Sequence, residues 1–184
     1  MCTILYDKDG NELEYHNLQD KLHWCREGES KEQAFVRRYV SLGYKMNPEK
    51  ESNEYAPDLI STTNVLTDLK SQHSPFFKAG ERYGIDPNFA VVFNVKDKVR
   101  YKKEYPDIDI LYYVDWIAVR ANIYGKSYEV QPLIGVYRIS FQDFLPILDG
   151  APVHEYIQRK GDLRGNAKDS YVLDIRDPAF ERLH

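Results

Sequence analysis

The chain has 184 residues and a formal net charge of −4 at pH 7. This length can bury one sizeable core, and the acidic balance excludes attraction of nucleic acid through overall charge, so such contacts need local basic patches. The two cysteines form no CxxC pair, which excludes a disulfide framework or a cysteine zinc cluster. No basic-then-apolar leader and no apolar run of about 20 residues occurs, which favours an intracellular, cytoplasmic protein without a membrane span.

Periodicity and turn residues predict alternating strands and helices along the whole chain. In the first half they predict a hairpin over residues 3–15, a helix from Ser30 to Gly43, a short strand at 44–46, a loop at 47–55, a hairpin within 57–70, a helix from Ser74 to Gly84 and a strand at 89–93. In the second half they predict a basic helix at 96–105, a strand at 108–116, a hairpin turning at Gly125-Lys126, a helix from Ser140 to about Leu148, a helix at 154–160, a basic loop at 161–168 and a strand at 171–175.

These elements predict a single α/β (α+β) domain over residues 1–184, with a central mixed β-sheet flanked by helices. An N-terminal hairpin precedes the core, and a hairpin and helix follow it.

The clearest helix begins at a capping box formed by Ser30 and Gln33 and stops at Gly43. Glu32 lies on the apolar stripe of this helix, three residues before Phe35. A first-turn glutamate interacts favourably with the helix dipole, by about 0.3–1 kcal/mol. The alternative is that this acid faces the core because it takes part in a site.

The hairpin within residues 57–70 carries the most informative polar residues. Side chains alternate along a strand, so Leu66, Asp68 and Lys70 share one face. Asp58 follows Pro57 on the preceding strand. We therefore expect Asp58, Asp68 and Lys70 to converge at one edge of a sheet, where two carboxylates and a lysine suit a hard divalent cation and a phosphate.

The order of helix, strand, Pro-Asp strand, Asp-x-Lys strand, helix and buried strand resembles the PD-(D/E)XK nuclease superfamily, the fold of many restriction enzymes, Holliday-junction resolvases and phage exonucleases. The matching pieces are Glu32, Pro57-Asp58 and Asp68-Leu69-Lys70. A second Pro-Asp, Pro106-Asp107, has no acid-x-Lys downstream, so only one pairing has the required order. The resemblance implies a restriction-endonuclease-like core over residues 30–95, with 96–184 as an elaboration of a phage or mobile-element type.

The resemblance also implies a Mg²⁺-dependent site, in which Mn²⁺ can substitute. Asp58 and Asp68 would be direct ligands, joined by the Leu69 carbonyl. Glu32 would hold a water on the metal or a second ion. Lys70 would lie near the attacking water and the scissile phosphate.

Five further residues are candidate substrate contacts. Gln72 shares the strand face of Lys70, and His73 follows it, although a histidine beside a helix start is more often a local hydrogen-bond donor. Lys96 opens a basic helix that could track phosphates or could be an ordinary solvated face. Arg164 and Lys168 lie in a basic loop with glycine and asparagine.

The sequence therefore predicts a Mg²⁺-dependent endodeoxyribonuclease with DNA as its partner, and a homodimer is one possible state because many proteins of this fold cut both strands. A nuclease-fold protein that binds nucleic acid or a protein without cutting is the alternative. A third interpretation treats the motifs as accidental: Asp58 ends a turn, and Asp68 and Lys70 form a solvated pair worth under about 1 kcal/mol.

Overall fold

The computed structural model describes residues 3–13, 30–155 and 169–184. Its strands are β1 (Thr3–Tyr6), β2 (Glu12–Leu13), β3 (Lys45–Met46), β4 (Leu59–Ile60), β5 (Leu66–Gln72), β6 (Ala90–Asn94), β7 (Asp109–Asp115), β8 (Arg120–Ile123), β9 (Lys126–Glu129), β10 (Ile134–Ser140), β11 (Val153–His154), β12 (Ser170–Asp174) and β13 (Glu181–Arg182). Its helices are α1 (Lys31–Arg38), α2 (Ala79–Tyr83), α3 (Val95–Glu104) and α4 (Phe141–Gly150), with 3-10 turns at Val40–Leu42 and Pro48–Glu51.

A six-stranded sheet in the order β13-β10-β7-β5-β4-β3 forms the centre of the molecule. Strands β5 and β7 run parallel, and every other neighbouring pair in this sheet is antiparallel. Two smaller sheets have the orders β2-β1-β8-β9 and β11-β12-β6. The mixed α/β class and the mixed central sheet are therefore confirmed. Of the helices in the described ranges, none combines the length and apolar character that crossing a bilayer requires.

Strand β7 lies at the middle of the core, and its residues 110–114 are fully buried on both faces. One face, which includes Tyr112, packs with Phe93 of β6 and with α3 and α4. The opposite face, which includes Leu111, packs with Phe35 of α1. The central sheet thus has α1 on one side and the β6 sheet with α3 and α4 on the other.

The helix starts that depend on a side-chain cap are confirmed at two positions. Ser30 Oγ accepts from the Gln33 N–H at 3.1 Å, and the Gln33 side chain accepts from the Ser30 N–H at 2.8 Å. Ser140 Oγ accepts from the Asp143 N–H at 3.1 Å at the start of α4. The left-handed φ of +77° at Gly43 ends the turn that follows α1, as expected for a glycine stop.

The predicted helix from Ser74 is wrong in its first part, because α2 begins only at Ala79. Phe77 is buried in the main core, whereas Phe76 packs with a separate small cluster. Two adjacent aromatic side chains anchored in different clusters hold this segment in turns.

Two other predicted elements differ from the structure. The apolar strand at 89–93 forms β6 but pairs with β12 in the small sheet, and β7 takes the place beside β5. The central sheet therefore includes strands from both sides of residue 95. The predicted helix from His154 is wrong at its start, since His154 lies in β11 opposite Ser170. The rest of that helix extends outside the described residues.

The second hairpin turns one residue earlier than predicted. Tyr124 and Gly125 occupy the turn, with φ of +53° and +86°. Two consecutive positive φ values suit the right-handed twist of the flanking strands, so the turn falls where the glycine takes the second position.

Candidate functional site

The β4–β5 hairpin brings the aspartates of the Pro-Asp and Asp-x-Lys motifs together. Leu59 pairs with Thr67, and extending this register by one residue sets Asp58 opposite Asp68. The Asp58 side chain contacts β5 directly, because its Oδ2 accepts a hydrogen bond from the Leu69 N–H at 3.0 Å. Both aspartates are buried, with 7% and 5% of their surface exposed. The hairpin therefore encloses two carboxylates where its strands separate.

Asn47 fixes the Pro57-Asp58 segment from the neighbouring strand. Its Nδ2 donates to the Pro57 carbonyl at 2.8 Å, and its backbone N–H donates to the Asp58 carbonyl at 3.0 Å. The Asn47 side chain also caps the 3-10 turn at Pro48–Glu51. This turn carries Lys50, whose Nζ lies 2.7 Å from Asp58 Oδ1. One buried asparagine thus positions both the first aspartate and its cation.

Lys70 lies on the same face of β5 as Asp68, with its ammonium between two carboxylates. Its Nζ is 2.7 Å from Asp68 Oδ2 and 2.7 Å from Oδ2 of Asp97, which lies in the first turn of α3. The ring centroids of Phe93 and Tyr101 lie 5.5 and 5.9 Å from the same nitrogen. Lys70 therefore connects the central sheet to α3 inside an aromatic wall.

Asp97 has further polar neighbours. The Asn94 amide donates to it at 3.4 Å, and the Arg100 guanidinium lies 3.4 Å away. Ser170 Oγ in turn donates to Asn94 Oδ1 at 3.1 Å. Asp97 is not among the candidates predicted from the sequence, because it stands in a run of lysines. Its spacing of four residues from the buried Tyr101 places both on one helical face, and that spacing could have identified it.

The charges at the site shift each other's pKa values. Burial and then the negative charge of Asp68 raise the pKa of the Asp58 carboxyl. Burial alone would lower the pKa of Lys70, but Asp68 and Asp97 outweigh it and the pKa is raised. Burial alone would raise the pKa of Asp97, but Lys70 outweighs it and the pKa is lowered. Burial and the same two acids raise the pKa of Tyr101, which stays protonated. A further cation near Asp58 would therefore stabilise its charged form.

The donor atoms around the two aspartates fit a hard divalent cation. Asp58 and Asp68 supply carboxylate oxygens, and the Leu69 carbonyl leaves β5 on the same side as its N–H, which points at Asp58. A small set of oxygen donors suits Mg²⁺, which retains several waters. The Lys50 ammonium already occupies a cation position on Asp58. Across residues 3–13, 30–155 and 169–184, no three His, Cys, Asp or Glu side chains form a group that could hold a metal.

Glu32 is the predicted site acid that the structure does not bring to this centre. Phe35 of α1 packs in the same cluster as Leu69. Because Leu69 alternates with Asp68 and Lys70 along β5, α1 lies on the opposite face of the sheet.

Gln72 and His73 take different positions. Gln72 lies on the face of Lys70, as predicted, and its Oε1 accepts from the Val92 N–H at 2.8 Å, which ties β5 to β6. His73 is buried and lies on the opposite face, with its ring edge-on to Tyr113 at 5.7 Å. The side-chain oxygen of Gln72 is thus already used in packing two sheets, and His73 points away from Lys70.

The basic helix α3 presents only part of its charge to solvent. Lys96, Lys102 and Lys103 are exposed. Lys98 pairs with Asp149 of α4 at 2.6 Å, so it ties two helices together. A basic strip therefore remains on α3. Two other predicted contacts lie outside the described residues: Arg164 and Lys168.

No protein-family model matches the chain, and neither a curated protein nor a solved structure matches it. Function is therefore inferred from the geometry around Asp58, Asp68 and Lys70.

Proposed function

We propose that the protein is a divalent-metal-dependent nuclease that hydrolyses phosphodiester bonds in DNA. The observation that carries the proposal is the meeting of the Pro-Asp and Asp-x-Lys motifs on paired strands. The register sets Asp58 opposite Asp68, and Lys70 Nζ lies 2.7 Å from Asp68. Burial and the charge of Asp68 raise the pKa of Asp58, and a shared divalent cation would relieve that repulsion.

The order of elements also supports a restriction-endonuclease-like core. Helix α1 is followed by the antiparallel strands β3, β4 and β5, and then by helices and the parallel strand β7. In the resemblance to PD-(D/E)XK nucleases the last strand of this order is the one at 89–93, and β7 takes its position beside β5. The core in this proposal extends beyond residue 95 to include β7.

The residues of the site divide the work of hydrolysis. A bound Mg²⁺ or Mn²⁺ supplies positive charge to the phosphoryl oxygens and lowers the pKa of a water. Asp58, Asp68 and the Leu69 carbonyl would hold the ion. The Lys70 ammonium orients the scissile phosphate and stabilises the charge that develops on it. Glu32 has no direct role in this proposal, because α1 packs on the other face of the sheet.

DNA would reach this centre along α3. The exposed Lys96, Lys102 and Lys103 offer contacts to phosphates, which position a duplex without reading its sequence. A homodimer would supply a second centre for the opposite strand.

The direct test is cleavage of a supercoiled plasmid and a labelled oligonucleotide in Mg²⁺, in Mn²⁺ and in EDTA. We expect cleavage that requires metal, is lost in Asp68→Asn and is retained in Asp149→Asn. Asp149 is a matched control because it also pairs with a lysine, on the surface between α3 and α4. Absence of cleavage with both metals, or equal cleavage by Asp68→Asn, would overturn the proposal.

One observation favours a non-catalytic protein of the same fold as the second candidate. Each acid of the cluster has a protein cation beside it: Lys50, Lys70 or Arg100. An ion-pair network that is satisfied internally can be purely structural. Thermal unfolding in increasing Mn²⁺ separates the two candidates, because a metal site raises the melting temperature with concentration. Loss of that rise in Asp58→Asn supports the nuclease, and no rise in the wild type supports the binding protein.

A further inference from the structure

We infer that Asp97 is a positioning residue that holds the Lys70 ammonium in the place where it meets the scissile phosphate. This inference rests on the proposed nuclease function and adds a residue to its machinery. Asp97 does not belong to the Pro-Asp or Asp-x-Lys motif. It lies in α3, which covers the face of the sheet that carries Lys70.

The geometry around Lys70 carries the inference. Its Nζ lies at the same 2.7 Å from Asp68 and from Asp97. Asp68 stands two residues before Lys70 on the same strand, so this contact alone does not tie the side chain to the rest of the molecule. A lysine side chain carries a point charge on a flexible four-carbon stem, so the groups that it contacts determine its position. Asp97 is the partner that draws the ammonium toward α3.

Asp97 is itself held rigidly enough to act as an anchor. Only 4% of its surface is exposed. Asn94 donates to Asp97 and accepts from Ser170 of β12, so the chain of contacts runs from the small sheet to Lys70. The Arg100 guanidinium lies on the other carboxylate oxygen, at 3.4 Å from Oδ1. Asn94 and Arg100 thus orient the Asp97 carboxylate directly, and Ser170 acts through Asn94.

The two acids beside Lys70 have different tasks when a metal ion binds. Asp68 is a ligand in the proposed centre, and a divalent cation would compete with Lys70 for its carboxylate. Asp97 lies on the far side of the ammonium and keeps its contact. Lys70 therefore stays in place during the reaction because of Asp97, and Asp97 acts only through Lys70.

A double-mutant cycle tests this dependence. Single-turnover cleavage rates and DNA affinity are measured for wild type, Asp97→Asn, Lys70→Ala and the double variant, with Asp149→Asn as a control on the same helix interface. We expect Asp97→Asn to lower the rate roughly 10–100-fold, the size typical of groups that orient a catalytic residue, with DNA affinity little changed. The double variant should be no slower than Lys70→Ala. A rate for Asp97→Asn equal to wild type, or a double variant slowed by the product of the two single effects, would overturn the inference.

A second measurement reads the position of Lys70 without activity. Acetic anhydride labelling followed by mass spectrometry compares Lys70 with the internal reference Lys50, whose contacts do not involve Asp97. Labelling of Lys70 should rise several-fold in Asp97→Asn, in a protein that still unfolds cooperatively. Unchanged labelling of Lys70 would contradict the inference. If the wild type does not cut but Lys70 labelling rises, the nuclease proposal fails and the contact between Asp97 and Lys70 stands.

Discussion

The two lysine–aspartate pairs of the centre have the same length but different surroundings. Lys50 and Asp58 approach to 2.7 Å, and so do Lys70 and Asp68. Lys50 stands on a 3-10 turn with 32% of its side chain exposed, and its other contact is the Ala56 carbonyl. Lys70 stands on a central strand with 19% exposed and has two carboxylates. The comparison shows that distance alone does not distinguish a cation that can leave from one that is fixed.

This difference suggests a division of roles. Asp58 is buried, but Lys50 reaches it from a partly exposed turn, so a divalent ion that takes over the charge of Asp58 can release Lys50 to solvent at small cost. A buried pair is much harder to separate, because solvent does not stabilise the charge that remains. In the proposed nuclease, Lys50 would therefore be a replaceable counterion at the metal position, and Lys70 a permanent part of the site.

The largest expected effect is on cleavage. Lys70→Met should lower the single-turnover rate at saturating Mg²⁺ by about 100-fold or more, since it removes a charge that stabilises the transition state. Lys50→Met should leave that rate within about twofold, because Lys50 is absent from the loaded centre in this account. Equal losses in both variants would remove the distinction between the two lysines.

The next effect is on stability. Lys70→Met leaves Asp68 and Asp97 buried without their shared cation and should lower the free energy of unfolding by about 3–5 kcal/mol, measured by urea denaturation without metal. Lys50→Met leaves the buried Asp58 without its cation, but that carboxyl can take up a proton, so the loss should be smaller, about 1–3 kcal/mol. A stability loss for Lys50→Met as large as that for Lys70→Met would contradict the replaceable character of Lys50.

A smaller effect is expected on metal affinity. Removing the competing ammonium in Lys50→Met should tighten Mn²⁺ binding about fivefold, which corresponds to about 1 kcal/mol of lost competition. Isothermal titration calorimetry measures the Mn²⁺ affinity. Lys126→Met is the control, because it removes a lysine of β9 that pairs with Glu81 of α2, away from the centre. Weaker binding by Lys50→Met would show that the lysine supports the metal position.

The smallest effect is on the pH dependence of stability. The folded pKa of Asp97 is lowered, since Lys70 outweighs burial. Its contribution is therefore fully present above the unfolded pKa of about 3.8 and is lost as pH falls through the folded pKa. The difference in unfolding free energy between wild type and Asp97→Asn should be constant from roughly pH 5 to 7, because pH 5 lies about one unit above the pKa of a free aspartate. The difference should shrink in more acidic solution. A difference that grows on acidification would contradict the ion pair.

Local signals in the sequence predicted the parts of the site that depend on the hairpin. The strand-like flanks of Asp58 and Asp68 and the alternation that puts Lys70 beside Asp68 are properties of neighbouring residues. The capping box at Ser30 was equally local, and it placed α1 correctly. It did not show that the helix covers the face of the sheet opposite Asp68 and Lys70.

The contacts that the sequence did not predict join distant segments. Asp97 meets Lys70 from 27 residues away, within a stretch whose lysines indicated a solvated helix. The apolar run of β6 predicted a buried strand, but apolar character does not specify which of two sheets receives it. Lys50 stood in a polar loop without periodicity, and the Asn47 cap on its turn helps direct it to Asp58. Such long-range choices depend on tertiary packing.

The most direct measurement is a crystal structure of the protein soaked in Mn²⁺, with anomalous scattering recorded at the manganese edge. The account predicts a peak between Asp58 and Asp68 that also contacts the Leu69 carbonyl. It predicts that Lys50 has moved off Asp58 and that Lys70 has stayed on Asp97. A map without a peak at the two carboxylates, with Lys50 still on Asp58 at saturating Mn²⁺, would contradict the central claim that these aspartates form a metal centre.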